Sequence, residues 1–380
     1  MHYFDWTATT NISESALRVY NDISLNYYGN PSSIHPLGLK ARQRLDEERS
    51  HIASLLGVKA GNLYFTSGGT ESDAIVLSSL LNYQSPGTVI TTAIEHSAVL
   101  EFKNILTKAG WNFRALKCPG GYLSPEALKE ALTPDVRMVC IMSVNNVTGT
   151  VLDLKSLVKV VRDFEKQNGR SIHVHTDAVQ ALGKIPFDPV KLDVDSFAGS
   201  SHKFFGPRGV GLLYNRNRSL LSLSRGGGQE KGMRPGTENL PAICAMGQAL
   251  EDVISSRDKD YETVLSYRKM IEEASLKAGY SLLSPSSESG LDFSPYIINI
   301  SVKPLPSEVF LRIMADKGFC LSAGSACSTN SRGKAESVLE AMQIRSQDRM
   351  SSIRVSICAK NTAEEVELLC RALIETSGEY

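Results

Sequence analysis

The stretch "VRMVCIMSV", Val136–Val144, decides the fold. It is a nearly continuous apolar run, which reads as a strand buried on both faces. The segments around it repeat one logic. "NLYFTSGGTES" reads as a short strand that enters a glycine turn and then the helix "TESDAIVLSSLL". A strand over Thr88–Thr92 leads through a loop to a helix from about Ser97 to Lys108. "SIHVHTDAV" and "VDSFAGSS" read as further strands that end in polar residues. Strands alternating with helices predict a mainly parallel α/β sheet. Ligands of such sheets collect beyond the carboxyl ends of the strands. Thr70, His96, Asn146, Asp177, Ser200, His202 and Lys203 stand at those ends.

A long helical stretch starts at Leu240, and "YIINISV", "PSEVFLRIMADKG", "SSIRVSI" and "TAEEVELLCRALIETS" follow as strand, helix, strand, helix. This predicts a smaller C-terminal α+β domain. Expected divisions are an N-terminal segment over 1–20 that joins the small domain, a large domain over 21–255, and the small domain over 256–380.

Lys and Arg balance Asp and Glu at 41 each. A neutral chain has no general pull on nucleic acid or anionic membrane. No apolar run approaches the ~18 residues of a membrane helix. The start has neither the basic nor the apolar region of a signal peptide. The seven Cys are scattered and form no C-x-x-C pair. Reduced thiols in the cytoplasm are expected, rather than zinc or a disulfide scaffold.

Four groups carry chemistry. In "GSSHKFFGPRGVG", Gly199–Gly211, Lys203 follows an apolar strand, and Gly206 and Gly209 let the chain turn tightly beside a ligand. Ser200 and His202 are donors suited to a phosphate. A Schiff-base lysine needs such a fixed, partly desolvated place near an anion. In "TSGGTES", Gly69 and Thr70 open a helix whose free N–H groups suit a phosphate. In "HVHTDAVQALG", His173, His175 and Asp177 share one strand face. They can be a metal site. Alternatively Asp177 holds a protonated pyridine nitrogen, and the two His are sheet residues with satisfied nitrogens. In "CLSAGSACSTNSRG", Cys327 sits among small residues, as an accessible nucleophile would. Lys, phosphate cradle and Asp together meet the demands of pyridoxal phosphate, and His96 in "AIEHSAV" could stack on its ring.

The chain resembles the cysteine desulfurases of the NifS/IscS type, in the class V aminotransferase group of fold-type I pyridoxal-phosphate enzymes. The resemblance rests on "GNPSSIHPLG", "FTSGGTES", "EHSAVL", "NNVTGT", "HTDAVQALGK", "SSHKFFGPRGVGLLY", "GGGQEKGMRPGTEN", "SAGSACS" and "SSIRVSI", in the family's order. It implies a large domain with a mainly parallel seven-stranded sheet flanked by helices, plus a smaller α+β domain. Lys203 would carry the cofactor, Asp177 would pair with its ring nitrogen, and His96 would stack on it. Gln180 and Asn146 would lie near the ring hydroxyl and substrate. Gly69, Thr70, Ser200 and His202 would hold the phosphate, and Thr237 would reach the partner's phosphate in a homodimer. Arg354 would clamp the substrate carboxylate. Cys327 would take the sulfur of L-cysteine as a persulfide, releasing L-alanine. No metal is expected. The sulfur would pass to an acceptor protein, such as an iron–sulfur scaffold or a tRNA-thiolation protein. Selenocysteine lyase, another class V activity and a non-catalytic sulfur-relay homologue are the alternatives. The chain departs from the family at Trp6 and Thr7, at Val147, in "CAKNT" after "RVSI", and in ending at Tyr380.

Overall fold

A computed structural model describes residues 1–216, 220–323 and 338–379. Among these residues, thirteen strands form three sheets. In chain order they are β1 His2–Tyr3, β2 Leu63–Thr66, β3 Thr88–Thr92, β4 Asn112–Leu116, β5 Val136–Cys140, β6 His173–Asp177, β7 Ser196–Ser200, β8 Gly211–Asn215, β9 Ser281–Leu282, β10 Ile297–Ser301, β11 Phe319–Cys320, β12 Ser322–Ala323 and β13 Ser352–Ser356.

The large sheet has seven strands in the order β2-β8-β7-β6-β5-β3-β4. β8 runs antiparallel to both of its neighbours, β2 and β7; β4, β3, β5, β6 and β7 pair in parallel. The apolar run behaves as its composition dictates. Val139 packs with Ile90 and Val174 on one face, while Met138 and Cys140 pack with Val89 and Leu213 on the other. Helices cover both faces, so a strand here needs no polar side.

The helix expected from Ser97 to Lys108 divides at Glu101 into Ser97–Leu100 and Phe102–Lys108. The helix Leu240–Lys277 is continuous over 38 residues. It therefore passes through the division expected at residue 255. Its buried side chains Ile243, Leu250 and Ile271 share one core with Phe197 of the large sheet and Ile298 and Ile353 of a second sheet. That second sheet, β12-β13-β10-β9, is antiparallel.

The N-terminus is tied to the far end of the chain. β1 pairs in parallel with β11, and Asp5 bridges Ser356. Residues 7–10 then run against the turn that follows β7.

Candidate active site

The carboxyl ends of the parallel strands converge on a cavity of about 330 Å³. From β2 the chain turns into the helix Gly69–Ser79, and Gly69 and Thr70 line the cavity. Gly69 is there for packing: a Cβ on it would lie 2.5 Å from Cγ2 of Val179. The loops after β3 and β5 bring His96 and Asn146. The end of β6 brings Asp177 and Gln180, and the end of β7 brings Ser200, His202 and Lys203. Arg354, from the middle of β13, closes the site.

Lys203 ends a short turn of 3-10 helix, Ser201–Lys203. Its Nζ donates to the carbonyls of Thr7 at 2.8 Å and Ala8 at 2.7 Å. The glycine at 206 proves to serve the turn itself, because a Cβ would fall 1.9 Å from Oγ of Ser201. Between them Phe205 takes φ +65°, which side-chain-bearing residues disfavour. Its backbone is held from both sides by the N-terminal segment: Phe205 N–H donates to Thr10 Oγ1 at 2.9 Å, and Ser13 N–H donates to the Phe205 carbonyl at 2.8 Å.

Asp177 is buried, and its Oδ1 accepts from the Val179 N–H at 2.8 Å. Gln180 is also buried; its Nε2 donates to the Thr7 carbonyl at 3.2 Å, and its Oε1 accepts from Lys184 Nζ at 2.7 Å. His96 is the N-cap of Ser97–Leu100, and its Nδ1 accepts from the Ala98 N–H at 3.1 Å. The tautomer is thereby set with the proton on Nε2. Any hydrogen bond from this ring into the cavity is made by Nε2.

His202 lies 3.1 Å through Nδ1 from Thr9 Oγ1. Burial first, then the neighbouring Lys203 cation, lowers its pKa to about 4. It is therefore a neutral hydrogen-bonding group at pH 7. Ser200 is buried beside it.

Arg354 Nη1 donates to the Asn146 carbonyl and Nη2 to Asp5 Oδ1, both at 2.9 Å. Its Nε and the Oδ1 of Asn146 are buried without a partner. Two orphaned polar atoms on residues lining one cavity call for a polar ligand. Each terminal nitrogen of Arg354 also keeps a second N–H, so a carboxylate can still be bound.

The rival metal reading of β6 meets a different arrangement. His175 Nδ1 lies 2.8 Å from Ser196 Oγ, and its Nε2 lies 3.0 Å from Asp73 Oδ1. His173 Nε2 lies 2.7 Å from the same serine oxygen. Burial pushes both imidazoles down to about 4. These are neutral sheet residues: both ring nitrogens of His175, and Nε2 of His173, are engaged within the protein.

Two acidic residues that line the site were not singled out in the sequence. Asp5 holds Arg354 from a position 349 residues away, a distance that no spacing pattern encodes. Asp73 lines the cavity and is fully buried. Burial, reinforced by the Asp177 charge, raises its carboxyl well above the usual range. Its position in the helix, four residues past Gly69, was the available signal. Thr237 is exposed and does not line the cavity. Cys327 lies outside the described residues.

The residues present suit pyridoxal phosphate. A lysine, a buried aspartate, a neutral His and Ser beside a helix start, and a carboxylate-binding arginine surround a space of adequate size. The comparisons agree. The Aminotransferase class-V profile matches residues 2–369. A "NifS/IcsS protein homolog" of Lactobacillus delbrueckii subsp. bulgaricus is 38% identical over 99% of this chain and 97% of its own. "Cysteine desulfurase IscS" of Dictyoglomus turgidum is 34% identical over 96% of this chain and 91% of its own. A solved "NIFS-LIKE PROTEIN" superposes with a TM-score of 0.91 at 30% identity, covering 100% of both chains. With a family profile running almost end to end and relatives matched over nearly their full length, the chain belongs to the class-V aminotransferase family.

Proposed function

We propose that this chain is a pyridoxal-phosphate-dependent cysteine desulfurase, which converts L-cysteine and a protein thiol into L-alanine and a protein persulfide. The observation that carries the reading is the convergence of Lys203, Asp177 and Arg354 on one cavity in a chain whose relatives include a cysteine desulfurase. The cofactor, when bound, supplies a protonated ring that takes up the electron pair released at the substrate Cα.

This chain's own residues do the rest. Lys203 attaches the cofactor, and must release Thr7 and Ala8 to do so. Asp177, nearly sealed from water, keeps the ring nitrogen protonated. Thr70, Ser200 and His202 receive the phosphate beside the first turn of Gly69–Ser79, whose N–H groups lack helical partners. Arg354 orients the substrate carboxylate, with Asn146 beside it. His96 exchanges protons through Nε2, because Nδ1 is committed to the cap. The thiolate of Cys327 attacks the substrate sulfur: an S–S bond forms, the C–S bond breaks, and the carbon is reprotonated to alanine.

The assembly is a homodimer. Leu25, Tyr28, Ile34 and Leu39 are each more than half exposed within one short stretch, at 75%, 72%, 92% and 57%. Apolar exposure of that density suits a protein interface. Thr237, also exposed, would serve the partner's phosphate. The persulfide passes to an acceptor protein in the cytoplasm, such as an iron–sulfur scaffold. No helix among the described residues is long and apolar enough to cross a membrane.

The test is production of alanine and sulfide from L-cysteine plus a reductant, with and without pyridoxal phosphate. Lys203→Ala should lose both the cofactor's visible absorbance and turnover. Turnover that ignores the cofactor or survives this substitution refutes the proposal.

A further inference from the structure

Behind Lys203 lies a second cavity, of about 190 Å³. Thr7 and Lys203 line both cavities, so the N-terminal segment is the septum between them. Its walls are largely apolar, and Trp6 and Phe205 stand 5.8 Å apart, ring centre to ring centre. Three positions that set this sequence apart meet here. Trp6 Nε1 donates to Asn361 Oδ1 at 3.0 Å, and Lys360 Nζ sits 3.8 Å from the centre of the Phe205 ring.

The charges in this cavity are unevenly satisfied. On the long helix, Asp252 accepts from Gln248 Nε2 at 2.9 Å and also from the Ser15 hydroxyl. Asp260 accepts from Ser256 Oγ at 2.7 Å. The lysines opposite lack a carboxylate in direct contact, and Asp252 and Asp260 act on Lys360 only from a distance. Among the described residues, no carboxylate lies within 4.0 Å of Lys184 or Lys360. Lys184 Nζ donates to an amide oxygen, and Lys360 rests on a ring at the mouth. Burial, then the Lys203 cation, pushes the Lys184 ammonium down to about 7. A desolvated cation without a counter-ion is unfavourable, and an anion beside it relieves that cost.

We propose that this second cavity binds a small organic carboxylate, with its apolar body against Trp6 and Phe205 and its charge on Lys184, under Lys360. The site needs none of the chemistry proposed for the first cavity. Its occupant would lie one hydrogen bond from that cavity, since Lys184 donates to Gln180, which lines it. That makes it a place from which a metabolite acid could adjust the active site.

Trp6 supplies the probe, for the chain has only two Trp, and Trp111→Phe leaves it alone. The cofactor-loaded Trp111→Phe protein is titrated at constant ionic strength with acetate, butyrate and hexanoate, and with the matching neutral amides. Trp6 emission should respond saturably to the carboxylates, more tightly with chain length, and weakly to the amides. Lys184→Gln and Lys360→Gln should each weaken binding by roughly tenfold, the usual effect of losing one charge-assisted contact. Val253→Phe, which fills the cavity, should abolish the response. Because Lys360 is exposed at the mouth, its variant should fold normally. No saturable response overturns the proposal, as does an equal response to amides. A response lost in Arg354→Lys but kept in Lys360→Gln overturns it too, since binding then belongs to the first cavity.

Discussion

Replacing Gly69 by alanine probes how tightly the start of the phosphate-side helix is set against the loop after Asp177. The added Cβ would lie 2.5 Å from Val179 Cγ2 and 3.8 Å from Ser200 Cβ. The first contact is too short to persist, so the helix start or Val179 must move by about 0.5–1 Å, and overpacking of this kind costs about 1–3 kcal/mol. The cost divides between two observables. Displacement of the helix start moves the Gly69 and Thr70 N–H groups away from the proposed phosphate position, and should weaken cofactor binding by up to roughly 5- to 150-fold. Displacement of Val179 instead lowers the melting temperature, by about 2 °C per kcal/mol in a chain of this size. Cofactor titration by visible absorbance and thermal unfolding of the cofactor-free protein measure the two parts. Val179→Ala in the Gly69→Ala background removes the offending methyl groups and should restore both. The reasoning fails if Gly69→Ala binds cofactor and melts like the parent, or if the double variant is as impaired as the single one.

Burial lifts the Glu95 carboxyl from 4.5 to about 8. Between those values the folded protein holds a proton that the unfolded chain has released, so rising pH removes stability. The stability difference between parent and Glu95→Gln, both cofactor-free, should fall by about 1.4 kcal/mol per pH unit across that window; a flat difference contradicts the burial argument. Arg268 is fully buried, with Nε 2.7 Å from Glu272 Oε1 and Nη1 2.6 Å from the Ile297 carbonyl. Arg268→Ala strands Glu272 and should cost about 3–5 kcal/mol in denaturant unfolding; a loss below about 1 kcal/mol would refute this. Cys327→Ser should still bind cofactor and L-cysteine but yield no persulfide, and mass spectrometry of the parent after L-cysteine should find the added sulfur on Cys327; sulfur on another cysteine would show that the wrong nucleophile was chosen.

What was legible in the sequence was local. Strand Thr88–Thr92 is recognisable because β-branched residues fill it and a polar loop ends it, and Lys203 stands out because a strand and a glycine turn flank it. The site residues at strand ends share one cavity because a parallel sheet forces its carboxyl ends to one edge. The purpose of each glycine was not legible. Gly206 looked like an accommodation to ligand, yet it makes room for Ser201, a contact within the turn. Asp5 was illegible for the opposite reason. Its partner Arg354 is brought to it by the pairing of β1 with β11 and by the Asp5 bridge to Ser356, and pairing over such separations leaves no local pattern. The second cavity was equally hidden, since Trp6, Lys184 and Lys360 come from three distant segments.

The N-terminal segment also sets a schedule. Its first strand pairs with Phe319–Cys320, Thr7 N–H donates to Ser356 Oγ, and Asn361 Nδ2 donates to the Tyr3 carbonyl. Residues 2–7 therefore find several of their partners only once residues 319–361 have been made. Until then Asp5 has no Arg354, and the second cavity lacks the wall given by Ile357, Cys358 and Lys360. Closing so long a loop is slow compared with forming the local strand–helix units. A chain still on the ribosome can shape much of the large sheet, but its site still lacks Arg354. The site is thus finished only when β13 is in place, and a fragment ending before it would fold much of its bulk without Arg354 against Asp5.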